Sequence, residues 1–178
     1  ALNEKPRKFA ALLSSEACLT RIEVSTEEAK SRNDNEADLV AEIIHTLLNA
    51  GTEAERIGVV TPYRAQASRI RGLLRGLRFA QRPKLWQQIT VDTVDRFQGQ
   101  ERDLILYSFT SSDTAFLKKL GTFLFQQARL NVAVTRARHK VILLHSPELK
   151  NFAEQQANDS EDAQVFLSLL SEATYIKI

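Results

Sequence analysis

Short apolar runs alternate along this chain with segments whose apolar residues recur every three to four positions, and that alternation confines it to helices packed on a mostly parallel sheet. Residues 19–24 read as a first strand. Residues 33–50 read as a helix, because Val40, Ile43, Ile44 and Leu47 fall at helical spacing, the polar cluster at 33–35 can cap its start and Gly51 can end it. The run 57–61, stopped by Pro62, suits a strand buried on both faces. A helix over about 64–80 turns Ile70, Leu73, Leu74 and Leu77 inward. Residues 89–94 and 104–109 are further strands separated by a polar loop. Residues 126–138 read as a helix, 141–144 as a strand, 158–162 as a surface loop and 161–173 as a last helix. Strand and helix in this order, joined by right-handed crossovers, give an α/β fold.

A length of 178 residues with 43% hydrophobic content suits one compact unit. The chain opens at Ala1 and contains no methionine, so it is expected to be a piece of a longer polypeptide, with residues 1–18 as a connecting segment and 19–178 as the domain. A net charge of +2, from 24 basic and 22 acidic side chains, requires any basic surface to be local. The single cysteine, Cys18, excludes an internal disulfide and is expected to fill core in a reducing compartment. No apolar run approaches the roughly 18 residues of a membrane span and nothing resembles a signal peptide, so a soluble, cytoplasmic protein without a membrane partner is expected. His45, His139 and His145 lie far apart and predict no metal site.

Four segments could carry chemistry. On a helix over 126–138, Leu130, Ala133, Val134 and Ala137 share an inward stripe, Arg129 and Arg136 a second, and Asn131, Thr135 and Arg138 a third. Arg136 and Arg138 should therefore face different directions. A permanently charged, planar guanidinium can hold the charge that develops on a transferring phosphate, although such a helix can equally have solvated or carboxylate-paired arginines. The loop from Asp95 to Asp103 follows a strand's carboxyl end, where open parallel sheets place ligands, and Gly99 permits a tight turn there. A second strand end, Thr61-Pro62-Tyr63-Arg64, sets a hydroxyl, a ring and a cation where a helix begins. From Arg64 to Lys84 there are seven basic residues and no acidic one, and Arg71, Arg75, Arg78 and Arg82 at helical spacing could follow a phosphate backbone, form a solvated face or dock an acidic partner. No Gly-x-x-x-x-Gly-Lys-Ser/Thr occurs, so the chain has no P-loop of its own.

Together these strings resemble the later motifs of superfamily 1 helicases, in particular the Upf-like group. Ile57-Gly58-Val59-Val60-Thr61-Pro62-Tyr63-Arg64-Ala65-Gln66 resembles motif IV. Val91-Asp92-Thr93-Val94-Asp95-Arg96-Phe97-Gln98-Gly99-Gln100-Glu101-Arg102-Asp103 resembles motif V. Arg129-Leu130-Asn131-Val132-Ala133-Val134-Thr135-Arg136-Ala137-Arg138 resembles motif VI. The resemblance implies a second RecA-like motor domain, a P-loop NTPase fold that completes an ATP site. An N-terminal RecA-like domain of the same polypeptide would supply the P-loop and the Mg2+ ligands.

By position, Arg136 resembles the arginine finger, Arg64 a second phosphate contact with Arg69 as a substitute, and Glu101 the glutamate near the ribose and phosphates, presented by Gln98 and Gly99. Tyr63 is placed with the nucleotide. Thr61, Pro62 and Thr93, with Arg71 and Arg75, are placed on single-stranded DNA or RNA, and Arg138 is left for packing or a salt bridge. Motif VI has Ala128 where a second arginine is frequent. The implied activity is an ATP-driven helicase or translocase moving 5′ to 3′, inactive as the isolated piece. The other class of reading is a non-catalytic module, derived from a helicase, that binds nucleic acid or protein.

Overall fold

The computed structural model describes residue 12 and residues 17–77, 84–97 and 100–178. The strands are β1 (Leu19–Glu23), β2 (Ile57–Thr61), β3 (Thr90–Thr93), β4 (Arg102–Ser108), β5 (Ala137–His145) and β6 (Thr174–Tyr175). They form one six-stranded sheet in the order β3-β2-β4-β5-β1-β6. Every pairing is parallel. The helices are α1 (Asp34–Asn49), α2 (Arg64–Gly76), α3 (Thr114–Leu120), α4 (Gln127–Arg136), α5 (Pro147–Gln156) and α6 (Glu161–Glu172), with short 3-10 turns at Ala54–Arg56, Leu85–Gln88 and Gly121–Phe125.

The period-two alternation of a strand sorts consecutive residues onto opposite faces. Val59, Leu104, Leu106, Ile142 and Leu144 enter a core shared with α1 and α2 through Val40, Ile44, Ile70 and Leu74. Val60, Ile105, Tyr107, Val141 and Leu143 enter a second core, covered by Leu117, Leu130, Phe152 and Phe166 of α3 to α6. Burial on both sides is why β2 reads as a continuous apolar run. Leu12 is 1% exposed and belongs to the first core, so this residue of the expected connecting segment is part of the folded unit.

Local chemistry fixes the ends. The Asn33 side chain accepts from the Glu36 N–H to start α1, and Gly51, at φ 95°, ends its last turn. The serine hydroxyls of Ser146 and Ser160 cap α5 and α6. Two expectations are corrected. The helix over 64–80 stops at Gly76, where Leu77 turns to extended backbone, and residues 78–80 lie outside the described residues. The helix over 126–138 stops at Arg136, because Ala137 pairs with Arg102 and begins a nine-residue strand. Helices α3 and α5 were not read from the sequence. For α5 the Ser146-Pro147 pair, a cap followed by proline at the first helical position, was the available sign.

Residues 94–97 leave the carboxyl end of β3 and head back toward the amino end of β4, which Glu101 precedes. They leave beside β2, with the Val94 N–H donating to the Thr61 carbonyl at 3.1 Å. They then lay the fully buried Phe97 ring over Gly58. A Cβ at position 58 would lie 2.6 Å from Phe97 Cζ, so the crossing requires glycine there.

A candidate site divided between two edges of the sheet

The crossing segment separates what motif V holds together in sequence. Thr93 is the last residue of β3, at the carboxyl edge, whereas Glu101 immediately precedes β4, at the amino edge. The loop follows the carboxyl end of β3, as expected, but its last residue before β4, Glu101, stands at the amino edge. Gln98 and Gly99 lie outside the described residues.

At the amino edge, α4 runs down one face and delivers Arg136, its last residue, one position before β5 begins. Arg136 is half-buried, and its Nε is buried with no hydrogen-bond partner among the described residues. The expected inward stripe holds at Leu130 but not at Val134, which is 37% exposed. Near Arg136 in the chain, Arg138 donates from Nε at 3.1 Å and from Nη2 at 3.0 Å to Glu101 Oε2. These two residues belong to an open cleft of about 360 Å³, which Arg56, Arg102, Asp103 and His139 also line. Arg102 donates to the Glu101 carbonyl and to Thr90 Oγ1, each at 2.6 Å, and so fixes the backbone of Glu101.

At the carboxyl edge, β2 ends in Thr61 and Pro62, and Arg64 opens α2 in an exposed position. A cation at the positive end of a helix dipole is electrostatically misplaced unless an anion answers it, and no acidic residue lies in that first turn. Tyr63 is half-buried, its hydroxyl 3.0 Å from Ser111 Oγ and its ring packed against Phe116. Thr61 is fully buried, its Oγ1 3.1 Å from Thr110 Oγ1, and Thr93 is 6% exposed. The Thr61 hydroxyl does not reach the surface here. Arg129, at the start of α4, was not singled out as a site residue. Its Nη2 lies 3.3 Å from Asp95 Oδ1 and its guanidinium 4.0 Å over the Phe123 ring, beside this same edge.

Arg64 and Arg136 thus stand at opposite edges, separated by strands up to nine residues long, or about 30 Å at 3.3 Å per residue. They also belong to helices on opposite faces. The arrangement within this domain does not bring the two arginines together. Arg69 is engaged elsewhere, paired with Asp34 at 2.8 Å and Asp38 at 3.5 Å. Tyr63 likewise stands with the carboxyl-edge group, away from Glu101.

The cationic row is broken up by its own contacts. Arg71 donates to the Val91 carbonyl of edge strand β3 at 2.6 Å, and the Arg75 guanidinium lies 5.0 Å over Trp86. Arg78 and Arg82 lie outside the described residues. Cys18, expected in the core, is exposed at the residue before β1.

Beneath the carboxyl edge lies a buried polar network that sequence reasoning missed. Glu36 Oε2 accepts from Ser108 Oγ at 2.6 Å and from the Thr110 N–H at 2.9 Å, while Oε1 is buried without a partner among the described residues. Burial pushes the Glu36 carboxyl up to about 7, against the pull of those two donors. The amide of Gln66 donates to the Asn33 carbonyl and to Ser108 Oγ and accepts from the Asn33 N–H. This motif IV glutamine therefore ties α1 and α2 to β4. Thr110 sits at φ 75°, a strained position for a β-branched residue, and the Glu36 bond helps hold it. Only the spacing Asn33-x-x-Glu36, a capping pattern, hinted at this.

Among the described residues no group of three candidate metal ligands is present, and no helix is long and apolar enough to cross a membrane. A family model described as an AAA domain matches residues 3–148. The DNA replication ATP-dependent helicase/nuclease DNA2 of Mus musculus is 40% identical over 121 residues, which make up 67% of this chain and 10% of that protein. The DNA replication ATP-dependent helicase/nuclease JHS1 of Arabidopsis thaliana is 35% identical over 114 residues, 64% of this chain and 8% of that protein. The Regulator of nonsense transcripts 1 homolog of Arabidopsis thaliana is 35% identical over 127 residues, 71% of this chain and 10% of that protein. The α/β fold and the motif set define a RecA-like domain, and the chain belongs to this AAA-domain family of superfamily 1 helicases. It spans about a tenth of the length of these relatives.

Proposed function

We propose that this domain is the second motor domain of an ATP-dependent helicase or translocase, with its amino edge facing the nucleotide and its carboxyl edge facing a single strand of nucleic acid. The observation that carries the reading is the division of the motif residues between those edges: Arg136 and Glu101 at one, Pro62 to Arg64 and Thr93 at the other.

At the amino edge, no carboxylate among the described residues pairs with the half-buried Arg136 guanidinium, which leaves its charge for a phosphate, as an arginine finger needs. Glu101 accepts a ribose hydroxyl there. The absence of a P-loop leaves the triphosphate and Mg2+ to be held by the N-terminal RecA-like domain of the same polypeptide. The chemistry that Mg2+ supplies is charge neutralisation on the phosphates.

At the carboxyl edge, Arg64 becomes a backbone phosphate contact rather than a nucleotide contact, and the accessible part of Tyr63 lies against the strand, while Pro62 is buried beneath it. Closure of the two domains on ATP and release after hydrolysis would then alternate the grip on the strand. The isolated domain lacks half of the nucleotide site and does not turn over ATP.

Arg136→Ala in the full-length polypeptide tests the assignment. ATP binding, monitored by a fluorescent nucleotide, should stay within a few fold, while strand-stimulated turnover falls on the order of a thousandfold. Near-normal turnover would remove Arg136 from the mechanism.

A further inference from the structure

The contact between Glu101 and Arg138 differs in geometry from the usual arginine–carboxylate pair. An arginine and a carboxylate usually meet fork to fork, with one nitrogen on each oxygen. Here both nitrogens converge on Oε2, and no described residue bonds to Oε1. The backbone explains how Arg138 comes to be there. Arg102 pairs with Ala137 but Leu104 pairs with Lys140, so Asp103 faces two residues, Arg138 and His139. That extra residue is a β-bulge, a device that re-aims a side chain beside a functional site. With Arg102 bonded to the Glu101 carbonyl and Arg138 to its carboxylate, main chain and side chain of one glutamate are both held, and one oxygen is left over.

We propose that Arg138 is the positioning residue for Glu101, holding one carboxylate oxygen so that the other is presented to the ribose of the bound nucleoside triphosphate; this rests on the reading of the amino edge as the nucleotide side. An exposed glutamate otherwise has to surrender its rotamer freedom when the nucleotide binds. At 61% and 52% side-chain exposure the pair is too weakly held to lock the site shut, and it biases Glu101 without competing strongly for it. Arg138 contacts no phosphate in this role, which remains with Arg136.

Steady-state ATPase assays on the full-length polypeptide at saturating single strand, with ATP, 2′-deoxy-ATP and 3′-deoxy-ATP, decide the matter. Arg138→Ala should raise KM for ATP about five- to tenfold, the cost of ordering one rotamer-rich side chain on binding, with kcat within about twofold. It should also shrink the preference for ATP over the deoxy analogue that lacks the contacted hydroxyl. Added to Glu101→Gln, it should change nothing further.

A KM effect in Glu101→Gln with less than a twofold effect in Arg138→Ala would overturn the positioning role alone. So would additive effects in the double variant, or a fall in kcat at unchanged KM, which would put Arg138 on the phosphates. A Glu101→Gln protein with normal KM and normal sugar preference would instead overturn the reading of Glu101 beneath it.

Discussion

Glu36 is the side chain whose environment departs furthest from its ordinary chemistry, and its consequence is a pH dependence of stability. Its carboxyl sits at about 7 in the folded domain against an ordinary value of 4.5, so the folded state binds a proton that the unfolded chain has released. Stability should therefore fall as pH rises from about 4.5 to about 7 and level off above. The full span is on the order of a few kcal/mol, from the linkage slope of roughly 1.4 kcal/mol per pH unit.

His145 works against this trend, because burial holds its imidazole below the usual range and favours folding as pH rises toward 6.5. Comparison with Glu36→Gln isolates the glutamate. The variant should gain melting temperature relative to the parent between pH 5 and pH 8. A difference that stays flat across that window would show that Glu36 is already ionised in the fold. The hydrogen bonds to Ser108 and Thr110 survive in the variant through the amide oxygen, so a uniform loss of stability is not the expected outcome.

Among the elements, the crossing from β3 to β4 is the one on which the candidate site depends, and its weak point is the contact of Phe97 with Gly58. Gly58→Ala forces either the ring or β2 to move and should cost about 1–3 kcal/mol by overpacking, read from denaturant midpoints. Phe97→Leu in the same chain should recover part of that loss. If the single alanine variant is as stable as the parent, the ring does not press on the strand as described.

The crossing also shows what the sequence could and could not convey. The strands β2, β4 and β5 were legible because burial on both faces leaves uninterrupted apolar runs. The direction of the loop was not, since a polar segment of that length can stay at the edge where it starts or traverse the sheet. Nothing at Ala137 breaks a helix, so the end of α4 is imposed by pairing with Arg102 and not by propensity. Motif strings nominated the residues, but the edge on which each one stands required the sheet.

For the whole molecule, the division into two edges makes the two proposed activities separable. Arg64 and Arg136 lie on opposite faces and at opposite ends of the strands, and residues so far apart with no shared partner contribute independently. In the full-length polypeptide, Arg64→Ala should raise the strand concentration needed for half-maximal ATPase stimulation by about three- to tenfold and leave turnover at saturating strand unchanged. This loss of a phosphate contact should carry a reduced salt dependence of strand binding. Arg136→Ala should do the reverse, with turnover lost and strand affinity kept. The double variant should show both defects at their single-variant sizes, because a strand held at the carboxyl edge has no direct contact with the finger. An effect of Arg64→Ala on turnover at saturating strand would mean that this arginine reaches the nucleotide after all. The sheet would then have to present its carboxyl edge to both ligands once the partner domain is docked.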